Sequence, residues 1–299
     1  MSSLITKVRL KQISQHIEKG KRLDERGLQE YRPITLQEGI IEKAEGSARI
    51  YLGKTEVLVG VKVETGEPFP DTPNEGVQTV NAELVPLASP NYEPGPPDEN
   101  SIELARIVDR GLRESHAIDT EKLCIEAGKK VFVVFVDVYV LNYDGNLIDA
   151  SALAALSALM NTKIPNYEVK DGELKIKQGY TQLPMKSRPI TVTVVKINNQ
   201  LVIDPQYEEE QVMDSRISIA VNEKGNICAV QKGGSGGGIG REIEMEITAA
   251  KVQGAAGIGH DSRRGLTRRV RAIDVQSREA QVGAVIGGCV KVVEKRIGV

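Results

Sequence analysis

The chain has 299 residues, with 39 Lys and Arg against 41 Asp and Glu, so a polyanionic partner must be met by a local patch and not by net charge. Its three cysteines and three histidines are scattered singly, which leaves no disulfide framework and no zinc ligand set. No apolar run reaches membrane-spanning length and no signal-peptide core precedes the first charges, so a cytoplasmic location is expected.

Ile5, Val8, Ile13 and Ile17 recur at helical spacing, predicting an amphipathic N-terminal helix within residues 1–21 that stops at Gly20. Arg22-Leu23-Asp24-Glu25-Arg26-Gly27 reads as a charged turn. A short mixed strand is expected over 34–41. Two β-branched runs, 46–53 and 55–63, flank a hairpin turn at Gly53-Lys54. A Pro-, Gly- and acid-rich loop over 64–78 leads into a strand over 80–87.

Pro94 to Arg113 is a rigid turn running into a helix. Its acids Asp98, Glu99 and Glu103 sit at the positive end of the helix dipole, and Ser101 or Asn100 is the expected cap. At about 100° per residue, Arg106, Arg110 and Arg113 fall within roughly 60° of one another, opposite Leu104, Val108 and Leu112. Three guanidiniums on one face suit phosphates, because each offers a planar fork of donors. The same spacing also fits a solvated face with local pairs to Glu103 or Asp109.

The run 131–141 is the most hydrophobic in the chain and reads as a central strand buried on both faces. Asp144-Gly145 turns it into a small-residue helix over 147–160. Residues 163–189 read as a polar connection. Strands are then expected over 190–197, 201–204, 215–221 and 227–232, with a short acidic helix at 208–210. Strands followed by a helix thus recur in both halves, an α+β arrangement. The Gly-rich run 233–240 matches neither the GxGxxG nor the Walker spacing and reads as a linker. A helix is expected over 241–252. Six arginines between Arg263 and Arg278 give residues 253–299 a basic tail without sustained periodicity. Asp214, at the mouth of a strand, fits either an acid/base carboxylate or a turn acid.

The motifs Arg22-x-Asp24-x-Arg26-Gly27, Gly46-Ser47-Ala48, Glu93-Pro94-Gly95-Pro96-Pro97-Asp98-Glu99, Glu103-Leu104-Ala105-Arg106-x-Val108-Asp109-Arg110 and Met213-Asp214-x-Arg216 together resemble the RNase PH family. The resemblance is specifically to the non-catalytic ring subunit of the archaeal exosome, and it covers roughly residues 15 to 250. It implies an RNase PH-like α+β fold over 22–252. Two pseudo-symmetric βαβα halves with mixed sheets and packed helices would run to about 162 and from 190, joined by a linker at 163–189.

Active members of the family are phosphorolytic 3′→5′ exoribonucleases that hold the attacking phosphate in a Gly-Ser/Thr-Arg cradle. The matching place here is Gly145-Asn146-Leu147-Ile148, where an aliphatic side chain replaces the guanidinium, and Asp149 close by would repel phosphate further. The resemblance therefore implies a catalytically inactive chain with no metal and no cofactor of its own, inorganic phosphate being used by a catalytic sister subunit. Three such heterodimers would form a hexameric ring capped by S1- and KH-domain proteins. Arg106, Arg110 and Arg113 would contribute single-stranded RNA contacts. A self-sufficient phosphorolytic ribonuclease and a ring-free RNA-binding adaptor are the alternatives. The tail departs from the family, since Gly254, Gly257 and Gly259 would break the long terminal helix expected there.

Overall fold

The computed structural model describes residues 4–170, 173–234 and 267–270. Helix α1, Leu4–Glu18, ends where Gly20 takes φ +72° and its N–H returns to the Ile17 carbonyl. The Gly-rich run from 235, the expected helix over 241–252 and all of the tail except 267–270 lie outside the described residues.

The first sheet holds β1 (Ile34–Glu38), β2 (Gly46–Leu52), β3 (Thr55–Gly66), β4 (Val77–Leu84), β5 (Cys124–Glu126), β6 (Lys130–Asn142) and β13 (Thr267–Val270). Its order is β13-β1-β2-β3-β6-β4, with β5 paired to β6. The β2–β3 hairpin has the expected turn, with Leu52 opposite Thr55 and Gly53 at φ +59°. Strand β4 runs parallel to β6 and begins three residues before the predicted Val80. Strand β13 pairs antiparallel with β1, although nothing in the periodicity of the tail marks it.

Strand β6 is not buried on both faces. Phe132, Val134, Val136, Val138 and Val140 are buried, whereas Val133, Phe135, Asp137 and Tyr139 alternate with them on a partly open face. The reason is the placement of the helices. Helix α2 (Glu99–Glu114) packs on β4, α3 (Leu147–Asn161) packs on β2 and β3, and the two helices touch each other, so they share one face. The valine richness of β6 reflects strand propensity as much as burial.

The second sheet, in order β10-β9-β11-β12, is antiparallel throughout. It comprises β9 (Ile190–Ile197), β10 (Gln200–Ile203), β11 (Ser215–Val221) and β12 (Ile227–Gly233), with helix α4 (Tyr207–Glu210) between β10 and β11. Helix α3 also packs on β9, so it lies between the sheets. Its Ala and Ser residues allow that approach. Gly46 on β2 is required there, since a Cβ would stand 2.5 Å from the Ala158 carbonyl oxygen. Helix α1 contributes Ile13 and Ile17 to a separate cluster with Val195, Ile197 and Val202. Each such aliphatic side chain is worth about 1.5–3 kcal/mol when fully buried.

The polar connection expected over 163–189 is largely regular structure. Strands β7 (Lys163–Lys170) and β8 (Glu173–Gln182) form an antiparallel ribbon of their own. No helix among the described residues is long and apolar enough to cross a membrane.

Candidate functional site

The α2 helix is built as its sequence suggests, with one exception. Its cap is Asp98, neither Ser101 nor Asn100: the Asp98 carboxylate accepts the Ser101 N–H at 2.8 Å while Ser101 Oγ donates back to the Asp98 carbonyl. Ser101 falls one turn inside because its side chain is buried beside Leu104. Leu104, Ile107, Val108 and Leu112 form the buried stripe, and Arg106, Arg110 and Arg113 are exposed opposite it.

The three arginines are not equivalent. Arg113 is clamped, donating to both Asp109 carboxylate oxygens at 2.8 and 3.0 Å and to the Gln78 carbonyl. Arg110 reaches the other way, to Gln231 Oε1 on β12. Arg106 has no hydrogen bond or ion pair with any described residue. Of the two acids that could have neutralised this face, Asp109 does so locally, while Glu103 crosses to Arg216 on β11 at 2.8 Å.

The Glu103–Arg216 pair borders a cavity of about 270 Å³ between the start of α2, the β6–α3 turn, α4 and the start of β11. Asn146, Leu147 and Ile148 of the predicted degenerate phosphate site line it. The turn is tight. Gly145 sits at φ +85° and Asn146 at +55°. A Cβ on Gly145 would stand 2.4 Å from the Pro205 carbonyl oxygen. Gly145→Ala is therefore expected to cost about 2–4 kcal/mol through backbone strain and clash. A urea midpoint unchanged from the parent protein would refute this reading of the turn.

The N–H of Asn146, the buried N-cap of α3, donates to Glu210 Oε1 at 2.8 Å, and Tyr143 OH donates to Glu210 Oε2. A carboxylate of the chain itself thus takes the place at a helix N-terminus that favours an anion. Burial pushes the Glu210 carboxyl up, and the bonds from Tyr143 and Asn146 offset this only in part. Asp149, expected to be the repelling charge, does not line the cavity. It is turned inward, accepting from Tyr31 OH at 2.6 Å, Asn146 Nδ2 at 2.9 Å and Thr193 N and Oγ1 at 3.0 and 2.7 Å. Burial raises it to about 6 despite those bonds.

Behind the turn lies an ionic network that sequence spacing does not reveal. Asp204, fully buried on β10's exit, accepts from Arg32 Nε and Nη2 at 2.9 and 2.7 Å, from Arg26 at 2.9 Å and from Asn146 Nδ2 at 2.9 Å. Arg22 joins Glu209 and the Ile203 and Asp204 carbonyls. The Arg22–Gly27 turn is thus more than a local salt-bridged loop: it keeps local contacts from Arg22 and Arg26 to Asp24 and from Arg26 and Gly27 to Glu30, while Arg22 and Arg26 also bind this early turn to Glu209, Ile203 and Asp204 beside the second sheet. Arg32, Asp204, Glu209 and Glu210 carry no motif spacing, and the contacts that tie them together run from 58 positions along the chain, for Asn146–Asp204, to 187, for Arg22–Glu209. Asp214 is exposed, lies outside the cavity and makes no side-chain hydrogen bond or ion pair with a described residue. No group of three His, Cys, Asp or Glu that could hold a metal exists among the described residues.

Residues 30–165 match domain 1 of the 3′ exoribonuclease family, RNase PH, and residues 187–246 match its domain 2. The chain is 57% identical over 222 residues to the exosome complex component Rrp42 of Pyrococcus horikoshii, covering 74% of this chain and 81% of that protein. It is 51% identical over 234 residues to the Rrp42 component of Methanothermobacter thermautotrophicus, covering 78% and 86%. Among solved structures, a chain of the Archaeoglobus fulgidus exosome with RNA bound to the active site superposes with a TM-score of 0.77 at 45% identity, over 83% of this chain and 96% of that one. The arginine-bearing helix, the turn at 145–148 and the two sheets that frame them are therefore parts of a shared architecture, and the chain belongs to the RNase PH-like 3′ exoribonuclease family, beside the archaeal exosome core subunits.

Proposed function

We propose that this chain is a non-catalytic, RNA-holding subunit of an exosome core ring, paired in the cytoplasm with a catalytic RNase PH-like sister in a trimer of heterodimers. S1- and KH-domain proteins would cap the ring, and inorganic phosphate would be bound by the sister. The observation that carries the proposal is Glu210 on the Asn146 N–H. Phosphorolysis needs an anion cradle for the attacking phosphate. At the turn where the family resemblance puts that cradle, this chain presents a carboxylate with Leu147 and Ile148 and no arginine in the turn. A phosphate dianion entering there would meet like charge in a poorly solvated cavity. The guanidinium of Arg106, without a partner among the described residues, and the lightly held one of Arg110 support an RNA-backbone role, since such contacts position a strand without reading its sequence.

The test is RNA decay with inorganic phosphate. The purified chain alone is expected to release no nucleoside diphosphate, and mixing with its sister is expected to start release. Diphosphate release by the chain alone would favour the self-sufficient enzyme and overturn the proposal. Failure to form a ring with the sister would favour a free RNA-binding adaptor.

A further inference from the structure

A guanidinium stays open on a helix only if the acids beside it are held elsewhere. Side chains three and four positions apart meet on a helix surface, so the neighbours of Arg106 one turn away are Ile102, Glu103, Asp109 and Arg110. Two of the four are acids, and either could neutralise Arg106. Neither does. Asp109 is held from two sides, by Arg113 and by Gln78 Nε2 at 3.1 Å. Glu103 turns away and accepts from Arg216 Nη2 at 2.8 Å, 113 positions along the chain. Arg216 comes from the Met213-Asp214-x-Arg216 motif and stands near the start of β11. It pairs in register with Gly233 on β12, and a Cβ on that glycine would stand 2.9 Å from Arg216 Nη2. The missing side chain makes room for the guanidinium to reach α2. Arg216 is also the more enclosed partner, its side chain 17% exposed against 43% for Glu103.

We infer that Arg216 is a positioning residue for RNA binding: it holds Glu103 off Arg106 and so keeps that guanidinium open to a phosphate. It acts through Glu103 and does not itself touch the strand. Without Arg216, the cation one turn along the helix from the Glu103 carboxylate is Arg106. A pair three positions apart on an exposed helix face is weak, but it competes with every phosphate that Arg106 would otherwise meet. The inference rests on the RNA-holding reading of Arg106.

The test is a double-mutant cycle in the assembled ring, read as affinity for single-stranded RNA at low salt. Arg216→Ala, with the ring confirmed by its elution volume, is expected to weaken binding about threefold. Adding Glu103→Gln should restore it, since the competing carboxylate is gone. In an Arg106→Ala ring, Arg216→Ala should have no further effect. Glu103→Gln alone changes an exposed side chain and keeps the inference testable if Arg216→Ala fails to assemble; it should not weaken binding. A loss of the same size with and without Arg106 would mean that Arg216 contacts RNA directly or acts as a diffuse field, and would overturn the inference. So would unchanged affinity in Arg216→Ala, or weaker binding in Glu103→Gln alone. If Arg106→Ala itself leaves RNA affinity unchanged, the RNA-holding reading of that residue falls, and this inference with it.

Discussion

Asp204→Ala should destabilise the folded chain by about 3–5 kcal/mol, because it leaves the Arg32 guanidinium buried with its main counter-charge removed. Asp204 has no exposed side-chain surface, and Arg32 has only 4%. In the wild-type protein Arg32 donates Nε and Nη2 to Asp204; its other bonds go to the Thr55 hydroxyl and to the carbonyls of Asp144, Gly145 and Pro205, and the partly exposed Asp144 carboxylate stands farther off at 3.7 Å. Carbonyls orient the guanidinium but do not neutralise it. Arg26 and the Asn146 side chain would lose a partner in the same substitution, so the β6–α3 turn would loosen with the network. Equilibrium urea unfolding measures the loss. A cost under about 1 kcal/mol would mean that water or a shift of Arg26 replaces the carboxylate and that the network is not a unit. Adding Arg32→Met to Asp204→Ala should recover part of the loss, since the buried charge then goes with its partner.

The pH dependence follows with opposite signs for the two buried acids. Burial alone would raise Asp204, but the hydrogen bonds and charge of Arg32 outweigh it and hold the carboxyl below its ordinary value. Its contribution is therefore present above the unfolded value near 4 and is lost as pH falls through the folded one. Asp149, raised by burial to about 6, behaves the other way: its contribution is complete below about 4 and is lost as pH rises through about 6. Asp204→Ala should flatten the acid limb below about pH 4 and leave the slope between 4 and 6 in place.

What the sequence made legible is what local physics decides. The Gly53-Lys54 hairpin follows from one glycine between two β-branched runs. The α2 stripe follows from spacing, because Leu104, Val108 and Leu112 recur at the helical period whatever they pack against. The cap was ambiguous because Asp98, Asn100 and Ser101 are all good cap residues within four positions, and only packing of Ser101 decides among them. The β7–β8 ribbon was hidden because Lys, Gly and Pro interrupt its alternation. Strand β6 was over-read because valine content does not say how many faces are covered. The ionic network was out of reach because its contacts join residues 172 to 187 positions apart, as in Arg32–Asp204 and Arg22–Glu209. The same holds for Glu210, which reads as one more acid in an acidic turn until its oxygen is found on the Asn146 N–H.

In the assembled ring, replacing Arg106, Arg110 and Arg113 together by Ala should lower RNA affinity by roughly a hundredfold at low salt. This counts about 1 kcal/mol for each charge-assisted bond to phosphate that the variant cannot make. The salt dependence should flatten as well, by about 0.7 in slope for each single-strand phosphate left without its arginine, or about 2 for the three. The structure also orders the single variants. Arg106 has no described partner to give up, so its whole charge is available and its removal should weigh most. Arg110 exchanges only an exposed bond to Gln231 Oε1 for a phosphate. Arg113 must leave a two-pronged clamp on Asp109 and the Gln78 carbonyl, which offsets most of what a phosphate returns. Arg113→Ala should therefore change RNA binding least, and Asp109→Asn, by loosening the clamp, should strengthen it. The ring must be shown intact by its elution volume, because these side chains lie opposite the buried stripe and their removal leaves the core untouched. Equal effects of all three single variants would mean that the helix face acts only as a diffuse field. Unchanged affinity in the triple variant would leave these arginines as ordinary solvated surface, with RNA held elsewhere on the ring.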